Sequence, residues 1–313
     1  MNKKLIALAV AGAFAGAASV ANAEGSASVN GFVDVELMLQ NDHSPTSEKA
    51  FSANGEVDFT ATSGSVTTRV DVDVMAGGAS MEQGLFSWGV NDAVTVIGGI
   101  FNNPIGADSV DKPDMNFATH SVVYNILDQQ TTISDNSIAG LAFAGAAGPV
   151  SVTVGLLNDI GGVAEENSIA LVLGGSPVDN LNVEFGYVTQ DSSAENVWDI
   201  NGTYTMDAFT VGADILGADA IVDMAYSIWG GFHAGMFDIK LRYDSLAWEA
   251  SGMEDVTATT FHVGFEAAEN LEIALEVVSA DNAQSSGANQ TLADAVSGFH
   301  DENETLLEII GTF

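Results

Sequence analysis

The feature that most constrains this chain is a period-two alternation of apolar and polar residues that recurs in short bursts from end to end. In residues 66–74, Val70, Val72 and Val74 share one face, while Arg69, Asp71 and Asp73 share the other. The same separation runs through residues 29–37, 237–244 and 271–277. Successive side chains of a strand point to opposite faces, so each burst reads as a strand with one apolar and one charged face. After residue 23 no uninterrupted apolar run approaches the ~20 residues that a membrane-spanning helix needs. A membrane form of the mature chain must therefore cross the bilayer with strands.

The connections carry the second constraint. Short turns are expected at 63–64, 91–92, 147–149, 178–180, 206–207, 235–236 and 268–270, where Gly, Asn, Asp and Pro gather. Longer polar segments alternate with them, at about 41–53, 77–80, 103–136, 159–166, 191–195, 218–221, 246–256 and 280–302. Seven short and eight longer connections imply sixteen strands; fourteen or eighteen are compatible with the same pattern. Strands joined by short turns at one end and long loops at the other predict an all-β fold, a transmembrane antiparallel up-and-down β-barrel. A soluble β-sandwich explains the alternation but not the regular order of the connections.

The chain begins with two lysines, Lys3 and Lys4, an apolar stretch over 5–18, and Ala21-Asn22-Ala23. This predicts a secretory signal over 1–23, removed to leave a barrel over 24–313. Export exposes the protein to oxidising conditions, yet it contains no cysteine, so packing and strand pairing must hold the fold. Asp and Glu number 43 against 7 Lys and Arg; loss of Lys3 and Lys4 raises the acidic excess to 38. Such a charge excludes a nucleic-acid binder. Acidic chains poor in aromatics are often disordered, but 47% of these residues are hydrophobic. A barrel with an apolar outer wall and an acidic lumen and loops accommodates both facts. A general acidic surface of the kind common in saline habitats also contributes to such a balance.

The closing segment, Leu306-Leu307-Glu308-Ile309-Ile310-Gly311-Thr312-Phe313, resembles the terminal strand of Gram-negative outer-membrane porins. Residues 98–106, Gly-Gly-Ile-Phe-Asn-Asn-Pro-Ile-Gly, look like the strand and loop opening of some porin-like barrels, although the residues after Gly106 differ from the constriction loop of the general trimeric porins. The resemblance implies an outer-membrane pore for small hydrophilic solutes. It also implies Phe313 as the signal read by the barrel-assembly machinery, contact with lipid and lipopolysaccharide, and possible homotrimers. An adhesion or receptor barrel with a plugged lumen is the alternative.

Charged side chains are costly on a lipid face, about 2–4 kcal/mol for Arg or Lys at mid-bilayer. Alternation therefore assigns Asp34, Glu36, Glu56, Asp58, Asp71, Asp73, Glu184, Asp199, Asp214, Asp238, Glu272, Glu276 and Glu308 to the lumen, with Arg69, Lys240 and Arg242 as the basic members. Rings of carboxylates concentrate cations, so cation preference is expected. The segment 103–136 is too long for an ordinary connection and is expected to fold inward as a constriction. It carries Asp108, Asp111, Asp114, Asp128 and Asp135 against Lys112, and an apolar stretch at 121–127 suited to packing on an inner wall. An external loop, or an extra strand pair giving eighteen strands, is the alternative there. Arg69 either faces those loop acids across the pore or neutralises its own neighbours. The histidines (His43, His120, His233, His262 and His300) show no metal-ligand spacing, and the acids at 108–114 lack that of an EF-hand. No catalytic site, metal or cofactor is expected.

Overall fold

The computed structural model describes residues 25–41, 50–108, 112–129, 136–160, 166–189, 196–218, 222–282, 287–299 and 303–313. The expected signal segment, Asp111 and Asp135 lie outside the described residues, as do His43 and His300. Sixteen strands follow one another: β1 (Ser26–Asn41), β2 (Phe51–Ser63), β3 (Val66–Met75), β4 (Gly78–Asn91), β5 (Val94–Asn102), β6 (Ser137–Ala147), β7 (Val150–Asn158) and β8 (Asn167–Val178). The second half comprises β9 (Leu181–Val188), β10 (Val197–Met206), β11 (Phe209–Ala218), β12 (Val222–Ala234), β13 (Phe237–Trp248), β14 (Val256–Ala268), β15 (Leu271–Asp281) and β16 (Asn303–Thr312). Each pairs antiparallel with its neighbours in sequence, and β1 pairs with β16 to close the barrel. Closure matters because it leaves no strand edge unpaired.

Every expected short turn has two residues between its strands. Gly64, Gly148, Asn180, Asp207 and Gly235 supply the positive φ that these tight reversals need. One expected loop is shorter and shifted: for the segment expected at 77–80, the connection between β3 and β4 is residues 76 and 77, and Ala79 and Ser80 already pair with Val74 and Asp73. Further along β4 the register shifts between Asp71 and Val72, so Glu82 is the extra residue of a bulge that interrupts the alternation.

No helix is long and apolar enough to cross a membrane. The outward faces are instead a belt of exposed large apolar side chains, among them Val33, Val70, Phe143, Ile169, Ile200, Ile228, Leu241, Phe261 and Leu275. A soluble monomer rarely exposes contiguous apolar surface on this scale. Trp88, Tyr204, Tyr243 and Phe232 join this outer face, but Trp229 does not. It pairs in register with Gly212 and its indole lies against the position of a Cβ there, with Phe117 packed edge-on at 6.3 Å. The buried core sits inside the barrel near the loop end. There α1 (Val122–Gln129) packs on α2 (Ala288–Ser297) and on β11 to β13, in a buried cluster that includes Leu157, Val188, Leu216 and Leu246. Both helices fall in segments expected to be loops, 103–136 and 280–302.

Candidate functional site

The segment joining β5 to β6 crosses the barrel. Asn102 pairs with Ser137, and the Asn103 amide donates to the Asn136 carbonyl, so the hairpin is closed at its base. Beyond this base the chain reaches strands far around the ring. Ile105 lies where a Cβ on Gly186 of β9 would be, a close approach that only glycine permits. The Ala107 amide donates to Asp214 of β11 at 2.8 Å. Lys112 reaches Asp34 and Glu36 of β1 and Glu308 of β16. The Ala118 and Thr119 amides donate to Glu276 of β15. A segment that leaves at β5, returns at β6 and touches strands from β9 round to β1 can only pass through the interior. Its described residues hold α1 and no strand pair, so the eighteen-strand alternative is set aside.

One anchor is built on Arg242. Its neighbour Leu241 is 53% exposed on the outer face, whereas Arg242 is 2% exposed and points inward. The guanidinium donates to Asp244 (2.8 Å), to the Thr119 carbonyl (2.6 Å) and to the His120 carbonyl (2.9 Å), and lies 4.7 Å over the Phe117 ring. Its fixed fork of donors suits this convergence of partners. Glu276 completes the anchor by accepting the Ala118 and Thr119 amides and a hydrogen bond with His262 Nδ1 at 2.9 Å. Alternation assigned Arg242 and Glu276 to the inner wall, but they are sealed beneath the segment rather than facing open water. His262, one of the histidines without metal-ligand spacing, belongs to the same cluster.

The start of α1 is held by two carboxylates. Asp244 Oδ1 accepts the Val122 amide and Asp108 Oδ2 accepts the Ser121 amide. Both satisfy donors that a helix N-terminus leaves free, where negative charge is favoured. Burial acts to raise the Asp108 carboxyl, but the adjacent His120 ring, Arg242 and the Ser121 amide outweigh it and hold Asp108 below the usual carboxylate range. Asp114 remains exposed, and Asp128 accepts the Asn136 amide, closing the segment locally.

The second anchor inverts the expected polarity. Arg69 bonds Asp71 at 2.7 Å and lies 3.6 Å from Asp58, so it neutralises its own wall. The base that spans the lumen is Lys112, brought by the segment to acids of the wall. Burial alone would lower the Lys112 pKa; Glu308, Glu36 and Asp34 more than reverse this and raise it above its ordinary value.

The remaining carboxylates form two sectors. On β2 and β3, Glu56 pairs directly with Asp73 and Asp58 with Asp71, placing like charges face to face. Glu82 joins Glu56 and Asp73, with ligand atoms of the three within 4.8 Å of one another, a spacing a hard divalent cation could span. Sequence missed Glu82 because the bulge breaks the alternation around it. Opposite lie Glu184, Asp199 and Asp214 on β9 to β11, where Asn201 donates to Asp199 at 2.8 Å. Near the short turns Asp238 meets His233 at 2.9 Å, Lys240 pairs in register with His262, and Glu272 with Glu266.

No protein-family model and no curated protein matches the chain. Solved structures do. In vitro folded OmpT, an outer membrane protein of Vibrio cholerae, is 15% identical and superposes with a TM-score of 0.63, covering 95% of this chain and 100% of that one. A variant of the Rhodobacter blastica porin is 15% identical with a TM-score of 0.61, covering 92% and 100%. At such identities the likeness is one of fold, and this chain has the porin-like fold: a closed sixteen-strand barrel.

Proposed function

We propose that the protein is exported by its 1–23 signal to an outer membrane and acts there as a passive diffusion pore for small hydrophilic solutes, favouring cations. The observation that carries this reading is the one-signed inner wall. Carboxylates occupy β1 and β16, β2 to β4, and β9 to β11, and of the four bases among the described residues Arg69, Lys112 and Arg242 are each already committed to acids, with Lys240 the fourth. Low-dielectric walls focus the field of such charges and raise local cation concentration. The apolar outer belt supplies the lipid-facing surface, and the fold shared with outer-membrane barrels supports the location.

Reversal potential in a planar bilayer under a salt gradient is the direct test. A cation-directed potential is expected, diminishing as salt screens the wall. An anion-directed one refutes the electrostatic reading, and silent bilayers refute the pore. The second reading, a plugged barrel working through its external loops, has one observation in its favour. The packing of α1 on α2 fills part of the loop-end mouth with buried apolar side chains. Conductance separates the two.

Assembly supplies a further prediction. The Phe313 amide donates to the Gly31 carbonyl, and its ring lies where a Cβ on Gly31 would be, capping the seam between β1 and β16. Removing Phe313 is expected to lower severalfold the yield of barrel that resists unfolding in detergent without heating. An unchanged yield would remove its role as assembly signal. Chemical cross-linking in membranes tests the trimer implied by the porin resemblance.

A further inference from the structure

Glu36 and Glu308 face each other directly across the seam that closes the barrel, and Asp34 lies on the same face of β1. Like charges opposed in a sheet are destabilising. One oxygen from each of these three carboxylates falls within 4.8 Å of the others, a spacing at which oxygen ligands converge on a hard divalent cation. In this protein the position is taken by an ammonium. Lys112 Nζ lies 2.7 Å from Asp34, 2.7 Å from Glu36 and 2.5 Å from Glu308. The ammonium donates hydrogen bonds to Asp34 and Glu36, and its charge lies in ion-pair contact with Glu308. The lysine comes from a segment whose other charged residues nearby are acids, Asp108, Asp111 and Asp114, so no general basicity of the segment explains it. Its side chain is only 13% exposed.

We propose that Lys112 is a tethered counterion at the barrel seam: its ammonium fills the position a divalent cation would otherwise take there, so that cations pass this cluster instead of lodging in it. Permeation requires attraction strong enough for entry and weak enough for exit. Three bare carboxylates on one wall satisfy the first condition and violate the second for a divalent ion. With Lys112 seated, the cluster keeps a negative balance that attracts cations but offers no vacant point of convergence. The inference rests on the conducting reading above.

The test compares the full-length wild type with Lys112→Met, Lys112→Arg and the double variant Lys112→Met/Glu308→Gln. Potassium current is recorded in planar bilayers as calcium chloride is added, and calcium binding to detergent-solubilised protein is measured by equilibrium dialysis. Lys112→Met is expected to gain one calcium site with a Kd on the order of 10⁻⁴–10⁻³ M and to be blocked over that range. Wild type and Lys112→Arg are expected to need roughly tenfold more calcium, since a tethered cation still fills the cluster. The double variant should lose the gained site. Equal binding and block in wild type and Lys112→Met overturn the proposal. So does a Lys112→Met channel whose current changes without any calcium dependence, because that is the mark of a lysine that only positions the segment. If wild type carries no current, the conducting reading fails by itself, and dialysis still decides whether Lys112 occupies a calcium site.

Discussion

Replacing Arg242 by methionine is expected to cost about 3–5 kcal/mol, the usual penalty for removing one partner from a buried charge network. Methionine matches the stem of arginine and is tolerated in a strand, so the barrel itself should close normally. What is lost is the charge that Asp244 and Glu276 share, together with the donors to the Thr119 and His120 carbonyls. Asp244 and Glu276 are then left buried without the guanidinium; Glu276 keeps His262 beside it and Asp108 keeps His120. The loss should appear locally. Amide hydrogen exchange in 117–127 is expected to accelerate while strand amides stay protected, and single-channel current should become noisy as the segment leaves the wall. Unchanged protection in 117–127 would show that apolar packing of α1, through Val122, Val123, Ile126 and Leu127, holds the segment without the guanidinium.

Excising 104–135 should have the largest effect on transport. The base of the β5–β6 hairpin is already closed by Asn102 with Ser137 and by the hydrogen bond from Asn103 to Asn136. Asn136 already has a left-handed φ of 55°, a conformation that suits a tight turn joining β5 to β6. A sixteen-strand barrel without its cross-piece is wide enough for an aqueous channel. Single-channel current is expected to rise severalfold, and selectivity for cations to weaken as the field of the wall spreads over a wider lumen. Resistance to unfolding in unheated detergent verifies that the barrel has formed. A folded barrel with unchanged current would sink the assignment of this segment as the constriction.

Several levels of this organisation are legible in the chain alone. Strand faces follow from a local rule, since a residue such as Val70 or Asp71 is sorted by its immediate neighbours in period two. The two-residue turns are equally local, because the positive φ at Gly64, Asn180 or Asp207 is a property of one residue type at one place. Glu82 escaped because a bulge makes the face of a residue depend on the partner strand, which the alternation of β4 alone does not encode. The helices α1 and α2 escaped for a related reason. Each is short and is held by contacts with strands and with the other helix, so their periodicity is weak beside the loop chemistry around them.

The circumstance of the inward-assigned residues is a different matter. Sequence treated Arg242, Glu276 and Asp214 as faces open to solvent, whereas the segment covers them and uses their hydrogen bonds. Of the two roles open to Arg69, the structure shows the pairing with its own neighbours, and the contact between segment and wall is made by Lys112. Both bases sit among acids in the sequence, so charge pattern cannot distinguish a wall neutralising itself from a segment reaching across.

An up-and-down barrel of about sixteen strands, with two-residue turns alternating with longer connections, is legible in the chain because each strand and turn depends on residues within a few positions of one another. Only the tertiary structure decided where the long segment goes and which charges it meets. Asp34 and Lys112, or Ala118 and Glu276, are far apart in the chain and become neighbours only when β1 closes on β16 and the segment spans the ring they complete.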